Sequence, residues 1–243
     1  MKHPSFAILC FGRVGSEHLV SLLDSHSRIS CFGELFAPPG GAGPPRATTH
    51  VPRFFESGHD DPWAYWSEVS AAATGELVGF KLPQSSLNSH PRSGELVESK
   101  GVDLIRMRRA NRVAQYVSVL MARDSGVWQS TDGSYGKRQV RVDPRRCIKA
   151  LHRIDRSEAA LDRLAAGHRV FELRYEELAL GHGVNEVQEF LGVEAQSLTS
   201  PYEQLRTLPL EDAIENYDEL ASALAETSFA ADLQQSARTG RDR

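Results

Sequence analysis

The 243-residue sequence has no CxxC pair, no Walker A motif, no internal repeat and no apolar run of membrane-spanning length. Its cysteines number only three, Cys10, Cys31 and Cys147, without metal-ligand spacing. An odd, sparse count argues against a secreted disulfide framework and is expected of reduced thiols in a cytosol. Charge is unconcentrated too: 28 lysines and arginines stand against 32 acids, a formal net charge of −4 with no block of either sign. A mildly acidic chain of this kind is a poor general nucleic-acid binder. The early cation in Met1-Lys2-His3-Pro4 has the look of a signal peptide, but residues 6–11 are too short for its apolar core and run into Gly12-Arg13. The chain is therefore read as cytoplasmic, with no membrane span.

What is present is an alternation. Residues 6–11, Phe-Ala-Ile-Leu-Cys-Phe, form the continuous apolar run of a central parallel strand covered on both faces. A glycine-bearing turn follows, then Leu19, Leu22 and Leu23 at helical spacing, then a short strand over 28–32 that closes a βαβ unit. Further strands are predicted over 77–82, 102–107 and 169–174. Helices are predicted over 61–73, 111–122, from Asp143-Pro144 onward, over 175–178, 184–191 and 211–227. Residues 37–52 are rich in Pro and Gly and residues 125–142 lack apolar periodicity, so both are read as loops. Strands alternating with helices define an α/β domain with a mainly parallel sheet, expected as one domain over 1–235 with a frayed tail over 236–243.

Two segments carry anion chemistry. Phe11-Gly12-Arg13-Val14-Gly15-Ser16-Glu17-His18-Leu19 joins the first strand to the first helix, where unpaired N–H groups and the dipole favour an anion. Gly15 permits close approach, Ser16 offers a hydroxyl and Arg13 a fixed charge. The lysine of a Walker A loop is absent; an ordinary strand–helix turn with a surface arginine is the plainer reading. The second segment, residues 106–118, leaves another strand end and places Arg106, Arg108, Arg109 and Arg112 within seven residues. Such a cluster is repulsive unless an anion or carboxylate sits among the guanidinium groups. Ser118 lies two helical turns in, where it either faces a ligand or bonds back to the preceding turn. Two anion sites at strand ends fit an adenosine 3′,5′-bisphosphate better than ATP.

In order and spacing these motifs resemble the P-loop sulfotransferases that use 3′-phosphoadenosine-5′-phosphosulfate (PAPS), in particular the bacterial carbohydrate branch that sulfates trehalose and Nod factors. Arg13 to Leu19 is similar to that branch's 5′-phosphosulfate loop except at Val14. Gly33-Glu34-Leu35-Phe36, Gly79-Phe80-Lys81-Leu82, Arg109 to Ser118, Ser125-Gly126-Val127-Trp128, Arg174-Tyr175-Glu176-Glu177-Leu178 and Glu189-Phe190-Leu191-Gly192-Val193 resemble its later motifs. The segments Leu205 to Leu210 and Glu215 to Leu220 resemble its C-terminal end.

The resemblance implies a P-loop-type three-layer α/β/α domain and in-line sulfuryl transfer from PAPS to a carbohydrate or glycolipid hydroxyl, leaving PAP, with no metal required. Arg13, Val14, Gly15, Ser16 and Glu17 are then expected around the 5′-phosphosulfate. Arg109, with Arg108 as substitute, Ser118 and Arg206 are expected at the 3′-phosphate. Glu34 is expected as general base, with His18 and His26 as fallbacks, although His26 is read as a surface residue at a helix end. Lys81 either assists the bridging oxygen or pairs with a carboxylate. Trp63, Trp66 and Trp128 either stack on a sugar or pack in the core. A small-molecule natural product as acceptor, a P-loop nucleotide kinase and an inert nucleotide-binding protein are the alternatives, and a homodimer is admitted.

Overall fold

The computed structural model describes residues 3–38, 51–99, 101–128, 139–202 and 208–233. Along these the chain runs β1 (Phe6–Cys10), α1 (Ser16–Asp24), β2 (Ile29–Glu34), α2 (Pro62–Ala72), β3 (Leu77–Pro83), α3 (Gln84–Ser89), α4 (Glu95–Glu98), β4 (Asp103–Arg108), α5 (Arg112–Ser125), α6 (Pro144–Ala165), β5 (Val170–Arg174), α7 (Tyr175–Ala179), α8 (Val184–Phe190), α9 (Leu210–Ala213) and α10 (Tyr217–Leu224). It divides into two compact units, residues 1–108 with 158–201, and residues 109–157 with 202–243. The tail expected over 236–243 and Arg206 lie outside the described residues, as does most of the Pro/Gly-rich segment.

The first unit is an α/β layer structure. Its five strands are all parallel, in the order β2-β3-β1-β4-β5. Every residue of β1 is buried, as its unbroken apolar run requires of a strand flanked on both edges and covered on both faces. Alternation along the strands sorts the core in two. Ala7, Leu9, Phe32, Phe80 and Leu82 face a cluster with Tyr65 and Trp66 of α2, Leu96 of α4 and Leu161 of α6. Phe6, Ile8, Cys10, Cys31 and Met107 face the other, with Leu19 and Leu23 of α1, Leu178 of α7 and Val187 of α8. Trp66 is thus core, Trp63 packs at the edge of the same cluster, and Trp128 is partly exposed.

The crossover from β1 through α1 leads to β2, but β2 is an edge strand and β3 lies between the two. The predicted βαβ unit therefore exists with its strands two places apart. Gly79 makes the insertion of β3 possible: a Cβ there would come 2.5 Å from the Phe6 ring on the neighbouring strand. After β1 the chain moves to one side of the sheet, and after β3 it moves to the other. The carboxyl end of β1 is accordingly the topological switch point, where open α/β sheets bind ligands.

The second unit holds α5, the first part of α6, α9 and α10. Asn111 caps α5, its side chain accepting from Ala114 N–H at 2.7 Å, and the Asp232 carboxylate accepts from Arg112 N–H at 2.9 Å. The helix predicted over 211–227 is broken. Val140 bridges to Ile214, with Val140 N–H donating to Ala213 O and Glu215 N–H donating to Val140 O, which pulls the chain out of the helix between α9 and α10.

Candidate active site

The β1–α1 turn has an unusual backbone. Arg13 has φ 68°, and among the described residues it is the only non-glycine with a positive φ. Gly15 follows at φ 76° and serves as the N-cap of α1 without any side-chain cap. Left-handed residues alternating through a turn make a concave nest of N–H groups, and an uncapped helix N-terminus adds its dipole. A non-glycine held in this region is strained by roughly 1–3 kcal/mol, and such outliers cluster at ligand sites. Val14 does not offer its side chain to a ligand: it is fully buried in the α1-side core, so only its backbone can contribute. Ser16 is nearly buried and shares a hydrogen bond with the Cys10 thiol at the strand end.

Beside this turn lie Lys81, Glu34 and Glu17. Lys81 pairs with Ile8 in register and so points to the α1 side of the sheet. Regular alternation would send Glu34 to the opposite side, with Phe32. A bulge between Phe32 and Glu34 shifts the register, so that Phe32 pairs with Phe80 and Glu34 pairs with Lys81. One extra residue thereby turns the carboxylate to the α1 side. Lys81 Nζ donates to Glu34 Oε1 at 2.7 Å and also to Glu17 Oε1, from the first turn of α1. The lysine side chain is 4% exposed and the two carboxylates 24% and 28%. Burial alone would push the Lys81 ammonium down, but Glu17 and Glu34 outweigh it and hold the pKa well above the usual lysine range. Lys81 thus pairs with two carboxylates at once.

The histidines lie elsewhere. His18 Nδ1 is 3.0 Å from Ser200 Oγ, and with Leu22 it lines a cavity of about 440 Å³ that Leu178, Val184 and Gln196 also line. His26, read from sequence as a surface residue, is 3% exposed. Its Nε2 lies 3.0 Å from Glu194 O and its Nδ1 accepts from Arg28 N–H, so the ring ties α1 to the chain after α8.

The arginine-rich segment divides between the units. Arg106 is fully buried: it bonds Glu158 and Asp162 of α6, and donates to Leu9 O and Met107 O at 3.3 and 2.9 Å. Arg108 holds Glu158, Asp162 and Glu172 at 3.3, 2.5 and 3.1 Å. Carboxylates sit among these two guanidinium groups. In the second unit Arg112 pairs with Asp155, Arg109 stands just before α5, and Ser118 lies on α5, 5% exposed. No group of three or more His, Cys, Asp or Glu side chains suited to a metal occurs among the described residues.

No protein-family model and no curated protein matches the sequence. Solved structures do match the fold. A sulfotransferase from Alicyclobacillus acidocaldarius aligns over 100% of this chain and 98% of its own, at 16% identity and a TM-score of 0.56. The sulfotransferase domain from the curacin biosynthetic pathway aligns over 98% of each chain, at 13% identity and a TM-score of 0.51. The chain has the P-loop-type α/β fold of sulfotransferases.

Proposed function

We propose that this chain is a sulfotransferase that moves a sulfuryl group from PAPS to a hydroxyl on a carbohydrate or glycolipid. The observation that carries the reading is the strained, uncapped β1–α1 nest at the switch point, with a lysine–carboxylate pair beside it on the same side of the sheet. The fold shared with solved sulfotransferases supports it, and the motif resemblance supplies the donor and the acceptor class.

In this reading the 5′-phosphosulfate lies in the nest, with its phosphate oxygens on the N–H groups from Val14 to Glu17 and on the Arg13 guanidinium. Charge develops on that phosphate as the S–O bond breaks, and fixed N–H dipoles aimed there favour the transition state over the ground state. Glu34 takes the acceptor's proton as its oxygen attacks sulfur in line. Lys81 orients Glu34 through their ion pair and is the candidate to neutralise the leaving oxygen. The motif resemblance assigns the 3′-phosphate to Arg109, Ser118 and Arg206. The sulfuryl needs no metal counter-charge on this scheme, since it carries less negative charge than a phosphoryl group.

Thermal unfolding with PAP, ADP and Mg-ATP in turn tests the donor. A ligand at 100 times its Kd adds roughly 2.7 kcal/mol, so PAP should raise Tm by several degrees and ADP far less. Equal shifts with ADP, or a larger one with Mg-ATP, would remove PAPS as the donor and point to a nucleotide kinase.

A further inference from the structure

Glu17 is out of place in an anion cradle. It is the second residue of α1, one step beyond Gly15 and Ser16, where a negative side chain competes with any incoming anion for the helix dipole. Its carboxylate is turned onto Lys81, which it shares with Glu34. One buried ammonium therefore serves two carboxylates. Other titratable groups lie near Lys81 or on neighbouring elements. Cys10 on β1 is pushed up to about 11 by burial and keeps its proton, and Cys31 on β2 is raised likewise. Arg106 stands on the opposite face of the sheet with Glu158. Asp24 is at the far end of α1, accepting from Cys31 N–H.

We propose that Glu17 is a positioning residue that draws Lys81 partly away from Glu34, leaving Glu34 a stronger proton acceptor in exchange for weaker donor binding. The inference rests on the reading of the β1–α1 nest as the donor site and of Glu34 as base. A carboxylate held by an ammonium of its own is a weak base, whereas one that shares its counter-charge attracts a proton more strongly. Glu17 costs donor affinity through repulsion of the phosphosulfate, and Lys81 limits that cost by neutralising it in part.

The test compares wild type, Glu17→Gln and Glu17→Asp by PAP titration calorimetry, and by release of sulfate from saturating PAPS with water as acceptor. In that reaction water oxygen bonds to sulfur, the bond from sulfur to the bridging oxygen breaks, PAP leaves and Glu34 takes the proton. Glu17→Gln should bind PAP several-fold more tightly and release sulfate about tenfold more slowly. The opposite signs of the two changes, tighter PAP and slower release, separate this role from a merely structural one. Glu17→Asp, which keeps the charge, should stay near wild type in PAP affinity. If Glu17→Gln alters Tm but leaves both PAP affinity and the rate of sulfate release where they were, Glu17 is structural and the inference fails. If the wild type itself binds no PAP, the donor reading fails instead.

Discussion

At the scale of single residues, Glu34 carries the sharpest expectation. Replacement by Gln keeps its size and an oxygen for Lys81 but removes the proposed base, so turnover should fall by about 10²–10⁴-fold while PAP affinity stays within a few-fold. Calorimetry beside an assay of PAPS consumption separates the two, and a parallel loss of PAP binding would make Glu34 a structural residue. Most of the residues that the structure gathers here were named as candidates from the sequence. Arg13, Gly15 and Ser16 stand out because phosphate cradles use few residue types in a fixed order after a strand. Lys81 was legible as a charged residue in an apolar strand, although not which carboxylates held it. The Glu17–Lys81 pair was hidden, since its members are 64 positions apart and helical periodicity says nothing about which strand end a first-turn carboxylate meets. His26 misled because a helix-end histidine is usually solvated, whereas here both ring nitrogens find backbone partners.

At the scale of elements, helix starts were read well where a cap was written in the sequence. Asp61 before Pro62 accepts from Ala64 N–H at 2.9 Å, and Asp143 before Pro144 accepts from Arg146 N–H at 3.0 Å. Those N–H bonds hold both carboxyls below the ordinary aspartate value of 3.8. A depressed folded-state pKa contributes stability that is present above the unfolded value and lost as pH falls through the folded one. Urea midpoints should therefore drop between pH 6 and pH 3. The drop should be smaller in the Asp61→Asn, Asp143→Asn double variant, whose caps still accept but no longer titrate; an equal drop would mean the caps contribute nothing. Strands were recognised from unbroken apolar runs, but their order was not, because a run of Val, Phe and Leu does not say which neighbour it pairs with. The short helices α3 and α4 escaped notice: Gln-Ser-Ser-Leu-Asn-Ser has little helical preference and is held by its attachment to β3. The break between α9 and α10 escaped for the opposite reason, as a bridge to Val140, over seventy residues away, overrides a continuous helical pattern.

At the scale of the whole chain, the composition expected reduced thiols, and all three cysteines are free and buried. Burial pushes Cys10 up to about 11 and Cys147 up to about 12, and it raises Cys31 as well. Thiolates, not thiols, react with disulfide reagents. At pH 8 the native protein should consume almost none of an aromatic disulfide reagent, and three equivalents once unfolded in guanidinium. Rapid uptake of even one equivalent by the native state would show that a cysteine is exposed by local opening.

The position of β1 in the sheet also bears on how the protein fails. Its amides and carbonyls are bonded on both sides, to β3 and to β4, and both of its faces are covered, so this strand belongs to the portion of the fold that opens last. The Arg13–Gly15 nest hangs from the end of that strand and keeps its strained shape only while the strand is in place. No partly opened form of the sheet that releases β1 can retain the cradle, and none that retains β1 is obliged to lose it. Fraying at β2 or β5, the two edges, would displace Glu34 or loosen α7 long before the Arg13–Gly15 turn itself dissolved.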